Sequence, residues 1–186
     1  MGTPKALLAD GEGRAFVARI VRAFAGAGIT DIIIVTGSQH DAIEAAIAAD
    51  RPPVTPRLVR NPDPDRGQLS SLWAGLDAVD RDAEAVLMTL VDVPMVHAST
   101  IRAVVDAWQK QHAPIVRPAM GDRHGHPVLF DRVTFDELRR APLSEGAKAV
   151  VHAYADRVVN VPVDDPGALV DIDTPGDYRR VMSPDQ

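Results

Sequence analysis

Apolar runs of strand length alternate along the chain with runs of helical period, and Gly, Pro or Asp separates them. Phe16, Val17, Ile20, Val21 and Phe24 recur at the spacing of one helical face, with Gly26 and Gly28 as a stop, which predicts a helix over 14–26. Ile32, Ile33, Ile34 and Val35 form an unbroken β-branched run, the pattern of a central strand covered on both faces. The same reading places strands near 57–60, 85–91, 114–118, 126–130 and 157–163, and helices near 40–49, 70–79, 98–111, 134–140 and 145–154. A last strand and helix fall around 169–182, and the polar Ser-Pro-Asp-Gln end is expected to fray. The short crossovers imply a three-layer α/β/α fold with a mostly parallel sheet between its helices. The Pro-rich pieces at 52–56 and 61–66 are too short to link domains, so 1–186 is expected to be one domain.

Composition narrows the function classes. With 46% apolar residues in 186, the chain can build a full core. No cysteine is present, which excludes disulfides, thiolate metal sites and a cysteine nucleophile, and fits a reducing, cytoplasmic setting. The net charge of −6, with no Lys/Arg run, argues against general nucleic-acid binding. No stretch approaches the roughly 20 apolar residues that span a bilayer, so no membrane role is expected.

Polar residues just after apolar runs are the places to look in an α/β sheet, because ligands bind beyond the carboxyl ends of its strands. Asp92 ends the run Val86–Val91 and could hold a hard cation such as Mg2+ through oxygen, or simply cap the turn before Pro94. Asp171 and Asp173 follow Leu169–Val170. Asp173 or Thr174 is placed to cap a helix opened by Pro175, whereas Asp171 is less well explained by capping and could be a second oxygen ligand. Asn61 through Leu72 is a loop flowing into a helix start with two hydroxyls, Ser70 and Ser71, suited to an anion or a base edge, or to an ordinary serine cap. Gly121 through Pro127 is a polar glycine-rich hairpin with His124 and His126 at i and i+2, read as a substrate-contact loop in preference to a zinc site for want of a third ligand, or as a tight turn with exposed histidines. Lys5, after Pro4, could place a point charge on phosphate. The remaining histidines read as exposed helical or loop residues. Neither a Walker loop, a nucleophile elbow, a His-Glu-x-x-His motif nor a complete dinucleotide fingerprint is present.

Taken in order, these pieces resemble the nucleotidyltransferases that include molybdenum cofactor cytidylyltransferase and its guanylyltransferase relatives. The resemblance rests on Met1-Gly2-x-Pro4-Lys5, Val35-Thr36-Gly37, Asn61-Pro62, Gly67-x-x-Ser70-Ser71-Leu72, Asp92-x-Pro94, Gly125-His126-Pro127 and Asp171-Ile172-Asp173-Thr174-Pro175, and it spans nearly the whole chain. It implies a Rossmann-like fold of the nucleotide-diphospho-sugar transferase type. It also implies roles: Lys5 on the nucleotide phosphates, and Asp92 and Asp171 on Mg2+, with Lys5 and Asp92 catalytic. Thr36, Gly37, Asn61, Gly67, Ser70 and Ser71 would lie along the nucleotide, and Arg123, Gly125 and His126 would face the acceptor. The implied reaction is attack by a terminal phosphate of the pterin cofactor on the α-phosphorus of CTP, releasing pyrophosphate, with a molybdoenzyme as a possible downstream partner.

One departure stands out. The family opens with a strand and a Leu-Ala-Ala-Gly-x-Ser-x-Arg loop directly before the Met-Gly-x-Pro-Lys piece, and this sequence starts at that Met. The resemblance thus implies an interior strand missing from these 186 residues, with its neighbours unpaired at about 1–3 kcal/mol per buried orphan group. A start upstream or a catalytically weak form is the corresponding expectation. A nicotine blue oxidoreductase-like activity using NAD(P)H, and a non-catalytic module that carries nucleotide or pterin, are the alternatives.

Overall fold

A computed structural model describes residues 2–182. The Ser183–Gln186 tail expected to fray lies outside the described residues, as does Met1.

The first helix, α1 (Phe16–Gly26), buries Phe16, Val17, Ala18, Val21 and Phe24 on one face. It closes where Gly28 takes a φ of +92°, which lets the Ile29 amide reach back to the Phe24 carbonyl at 3.1 Å. β1 (Ile33–Thr36), α2 (His40–Asp50) and β2 (Arg57–Arg60) follow, with β1 and β2 paired in parallel, Ile33 opposite Arg57. Next come α3 (Gln68–Ala78), β3 (Ala85–Met88), α4 (Ala98–Gln111), β4 (Ile115–Met120), β5 (Arg123–His124), β6 (Val128–Asp131), α5 (Phe135–Arg140), α6 (Ala147–Ala153), β7 (Val158–Pro162) and α7 (Pro175–Met182).

The strands form two ladders. β1 and β2 make one; the other runs β3-β6-β4-β5, with β7 on β4. The α/β architecture agrees with the expected class, and the sheet is mixed: β1–β2 and β4–β7 are parallel, while β6 runs antiparallel to both β3 and β4. Period-two alternation sorts the core into layers. Ile115, Val128 and Phe130 pack with Leu69, Leu76, Leu138 and Val150 beneath α3, α5 and α6. Val116 and Leu129 pack with Val104 under α4. Ile32, Ile34 and Leu58 pack on Val17, Val21, Ile43 and Ile47 of α1 and α2.

Several expectations change. The Ile32–Val35 run is not central among the described residues: there β1 pairs only with β2, and its other edge, like that of β3, faces a cavity of about 1000 Å3. Residues 169–173 are not a strand, because this segment crosses the strand ends, held by the Ile172 amide on the Asp92 carbonyl at 2.8 Å. β3 stops at Met88 rather than residue 91, since Val91 and Asp92 turn. No helix among the described residues is long and apolar enough to cross a membrane.

Candidate active site

Lys5 sits in a single 3-10 turn, Lys5–Leu7, closed by the Leu7 amide on the Pro4 carbonyl. Its Nζ donates to Asp173 and lies 3.6 Å from Oδ2 of Asp92. The hydrogen bond to Asp173 is the main cause that holds the ammonium above its ordinary pKa; burial opposes it, and the charge of Asp92 adds to it. Asp92 occupies the turn beyond β3, and its Oδ1 is buried with no hydrogen-bond partner. Burial first, then the neighbouring negative charge of Asp92, pushes the Asp171 carboxyl up.

His126 borders the same carboxylates. Burial depresses its pKa, with Asp171 and Asp92 opposing the shift, and its Nδ1 has no partner. Its amide donates to the Ala168 carbonyl at 2.8 Å, and the peptide to Pro127 is cis. Gly125 is held tightly here, since a Cβ on it would fall 2.0 Å from the Ala168 carbonyl oxygen. Arg123 adds a 3.2 Å bond to the Leu169 carbonyl. The 121–127 hairpin is thereby stitched to 168–169, beside Asp171. His124 does not join His126: it is exposed, and the charges that act on it are those of Arg117 and Asp122. Among the described residues no group of three or more His, Asp or Glu side chains is disposed to hold a metal ion.

A second group gathers at the end of β1. Thr36 is buried, and its hydroxyl is 2.7 Å from His40 Nδ1, a partner the sequence reading missed. The Asn61 amide donates to the Thr36 carbonyl at 2.8 Å, tying the loop after β2 to β1. The Asn61 side chain in turn bonds Ser70 at 2.8 Å and Ser71 at 3.1 Å, and accepts from the Asp63 amide. Ser70 is not the helix cap: Gly67 stands at that position, and the Ser70 hydroxyl donates back to the Gly67 carbonyl at 2.7 Å. Gly37 packs on Pro64, with 3.3 Å left for a Cβ.

Lys5, Thr36, Gly37, Ser71 and Asp92 all border the large cavity between β1 and β3. Asn61, Gly67 and Ser70 stand behind Ser71, whereas Asp171, Arg123, Gly125 and His126 lie on the Asp92 side, off the cavity wall. Asp173 is the main residue whose place the sequence did not reveal. Thr174 takes the cap instead, its hydroxyl accepting from the Asp177 amide while Asp177 accepts from the Thr174 amide, a reciprocal box. This leaves Asp173 free to bond Lys5. The Tyr178 hydroxyl on the Ala9 carbonyl, at 2.7 Å, holds α7 against the amino-terminal segment.

Chemically, a lysine between a carboxylate beyond a strand end and carboxylates of a loop can place positive charge on a phosphate, with the carboxylates offering oxygen ligands to a hard cation. The family model for the MobA-like NTP transferase domain matches residues 1–158. The chain belongs to this family. Across this MobA-like NTP transferase domain, Rv0371c from Mycobacterium tuberculosis H37Rv superposes with a TM-score of 0.83 at 28% identity, covering 98% of this chain and 90% of that one. The manganese complex of Rv0371c gives 0.79 at 29% identity, covering 97% and 92%. A nucleotidyl transferase from Methanothermobacter thermautotroptrophicus gives 0.76 at 25% identity, covering 96% and 83%. In sequence, 114 residues are 29% identical to the bifunctional protein GlmU of Methylibium petroleiphilum, 61% of this chain and 24% of that protein. The chain thus matches about a quarter of the length of the curated relatives. By fold and family it is a MobA-like NTP transferase domain.

Proposed function

We propose that residues 1–186 form a single nucleotidyltransferase domain that transfers CMP from CTP to the terminal phosphate of a pterin cofactor and releases pyrophosphate, with Mg2+ as the ion. The observation that carries this reading is the convergence of Lys5, Asp92 and Asp171 beyond the carboxyl end of β3, in a chain of the MobA-like family. The donor set fits a hard cation: two carboxylates repel each other, and the buried Asp92 Oδ1 has no other partner. Asp92 and Asp171 would hold the ion, and the manganese complex of Rv0371c supports a divalent metal in this fold. When bound, the ion supplies charge neutralisation at phosphate oxygens.

The chain's own groups do the rest. Lys5, kept protonated by its carboxylate neighbours, releases Asp173 to bind a nucleotide phosphate and stabilises the charge that grows on the leaving pyrophosphate. The Thr36–Gly37 turn and Ser71 border the nucleotide, braced from behind by Asn61, Gly67 and Ser70. The hairpin of Arg123, Gly125 and His126 places the acceptor phosphate in line with the α-phosphorus, so that its oxygen forms the new P–O bond as the bond to pyrophosphate breaks. A molybdoenzyme would receive the product.

Calorimetric titration with CTP, GTP, ATP and NADPH, each with and without Mg2+, tests the reading. Mg2+-dependent binding that favours CTP is the expected result. Binding of NADPH without any NTP, or of NTPs with no dependence on a divalent ion, overturns it.

A further inference from the structure

Asp92 is held in place through its backbone. Its Oδ1 has no hydrogen-bond partner among the described residues, and its Oδ2 stands 3.6 Å from Lys5, an ion-pair distance that fixes no direction. Where the carboxylate points is therefore set by the turn that carries it. The Val93 amide closes that turn on the Leu90 carbonyl at 3.2 Å, and the Ile172 amide fastens the Asp92 carbonyl at 2.8 Å. Among the described residues one side chain also hydrogen-bonds the 90–94 turn: Arg19 of α1, whose Nε donates to the Pro94 carbonyl at 3.1 Å. Beyond the turn the chain is pinned again, with the His97 amide on Asp165 at 2.9 Å and a Cβ on Gly167 falling 2.3 Å from the Met95 carbonyl oxygen. The slack between β3 and Met95 is thus taken up at two points, Ile172 and Arg19.

Arg19 is itself anchored. Its Nη1 donates to Oδ2 of the buried Asp10 at 3.1 Å. The other oxygen of Asp10 accepts the Glu12 and Arg14 amides at 2.9 and 2.8 Å, and the Asp10 amide donates to the Arg14 carbonyl at 2.7 Å, so this residue knots the 10–14 loop on itself. The knot follows directly on the Lys5 turn, where the Leu8 amide bonds the Lys5 carbonyl at 3.1 Å and the Phe16 amide bonds the Leu8 carbonyl at 2.9 Å. Neutralising Asp10 does not require this geometry. Arg14 Nη1 already lies 3.6 Å from the same Oδ2, and two amides serve Oδ1, so what Arg19 alone adds is the reach to Pro94.

We propose that Arg19 is a positioning residue for the cation site: by tying the Pro94 carbonyl to the Asp10 knot, it fixes the direction of the Asp92 carboxylate and its distance from Lys5. It touches neither the ion nor the nucleotide. A planar guanidinium suits the task, because it donates from two nitrogens in fixed directions and so sets the spacing of the two segments it joins. Residues that orient a metal ligand in this way govern ion affinity although they make no bond to the ion. The part that concerns the ion rests on the proposed role of Asp92 as its ligand, and the brace between Asp10 and Pro94 does not.

Three variants of the 186-residue chain separate positioning from general stability. Arg19→Gln removes the brace, and Arg19→Lys keeps a positive charge beside Asp10 without the planar fork. Arg14→Gln is the control, since it loses ion pairs to Asp10, Glu12 and Asp50 and no contact with the 90–94 turn. Amide exchange at Val93 and Ile172 is expected to quicken about tenfold or more in both Arg19 variants and to stay within about twofold of the parent in Arg14→Gln, although Tm falls in all three. Manganese affinity, read by electron paramagnetic resonance, should drop about 10–100-fold in the Arg19 variants and hold in Arg14→Gln. If Arg19→Gln does not fold, Arg19→Lys carries the comparison with the control. Unchanged exchange at the two amides, or exchange that quickens equally in Arg14→Gln, overturns the proposal. So does quickened exchange with parental manganese affinity when Asp92→Ala loses the ion, and both of these results leave the role of Asp92 standing. Manganese binding retained by Asp92→Ala overturns the role of Asp92 and the proposal together.

Discussion

The Nζ of Lys5 lies 3.6 Å from Oδ2 of Asp92, with Asp173 bonded to the same ammonium. Three chain segments thus meet at one cation: the opening turn, the end of β3 and the loop before α7. The lysine is a third exposed, so the pairing matters less for folding than for placing a charge at the mouth of the cleft.

Replacing Lys5 by Gln should leave Tm close to that of the parent and lower turnover by about 10²–10³-fold, the usual cost of losing one preorganised charge. Pyrophosphate release and nucleotide titration on the same sample measure both quantities. Turnover within a few fold of the parent would remove Lys5 from the reaction.

Asp92→Ala should abolish divalent-ion-dependent turnover, and Asp171→Asn should weaken ion affinity while leaving nucleotide binding without the ion unchanged. A manganese titration followed by electron paramagnetic resonance reads the ion directly. If both variants bind manganese as the parent does, the carboxylates are not its ligands.

Asp10 carries an acid-stability prediction. It is 5% exposed. Burial alone would raise its pKa, but the Arg14 and Glu12 amides and the Arg19 guanidinium at 3.1 Å outweigh burial and hold it below the ordinary carboxylate value. A depressed carboxyl contributes stability that is fully present above its unfolded pKa of about 3.9 and is lost as pH falls through the folded value. Asp10→Asn should cost about 1.5–3 kcal/mol at neutral pH and show a smaller further loss below about pH 4. Urea unfolding at a series of pH values checks the sign, and parallel acid limbs for the two proteins would refute it.

Gly125→Ala tests the hairpin. The added methyl would fall 2.0 Å from the Ala168 carbonyl, a backbone atom that cannot swing away, so the 121–127 loop must move from 168–169. Overpacking of this kind costs about 1–3 kcal/mol. Tm should fall, and KM for the acceptor should rise more than KM for the nucleotide. An equal rise in both would place the hairpin away from the acceptor.

Much of the candidate site was legible because polar residues that follow an apolar run are a local feature: Asp92 and Asp171 each follow one, although only Asp92 lies beyond a strand, and Asn61 and Ser70 share one loop and helix start. Ser70 reads locally as a cap, and only its bonds to Gly67 and Asn61 show that it braces a turn. The partnership of Thr36 with His40 spans four residues, yet a helix start and a strand end give no periodic signal that would pair them. Asp173 looked like a cap because Thr174 could equally serve, and a sequence does not say which of two adjacent oxygens turns inward.

The alternation of strands and helices through most of the chain, the apolar face of α1, and a strand at the Ile32–Val35 run follow from the sequence alone, because backbone propensity and the period of burial act over a few residues. Tertiary structure decided the rest. The meeting of Lys5 with Asp92 and Asp173, the antiparallel course of β6, and the cleft between β1 and β3 depend on contacts between segments far apart in the chain. The same β-branched run reads alike as a central or an edge strand, since its own residues do not specify which strand lies beside it; long-range packing and backbone pairing do.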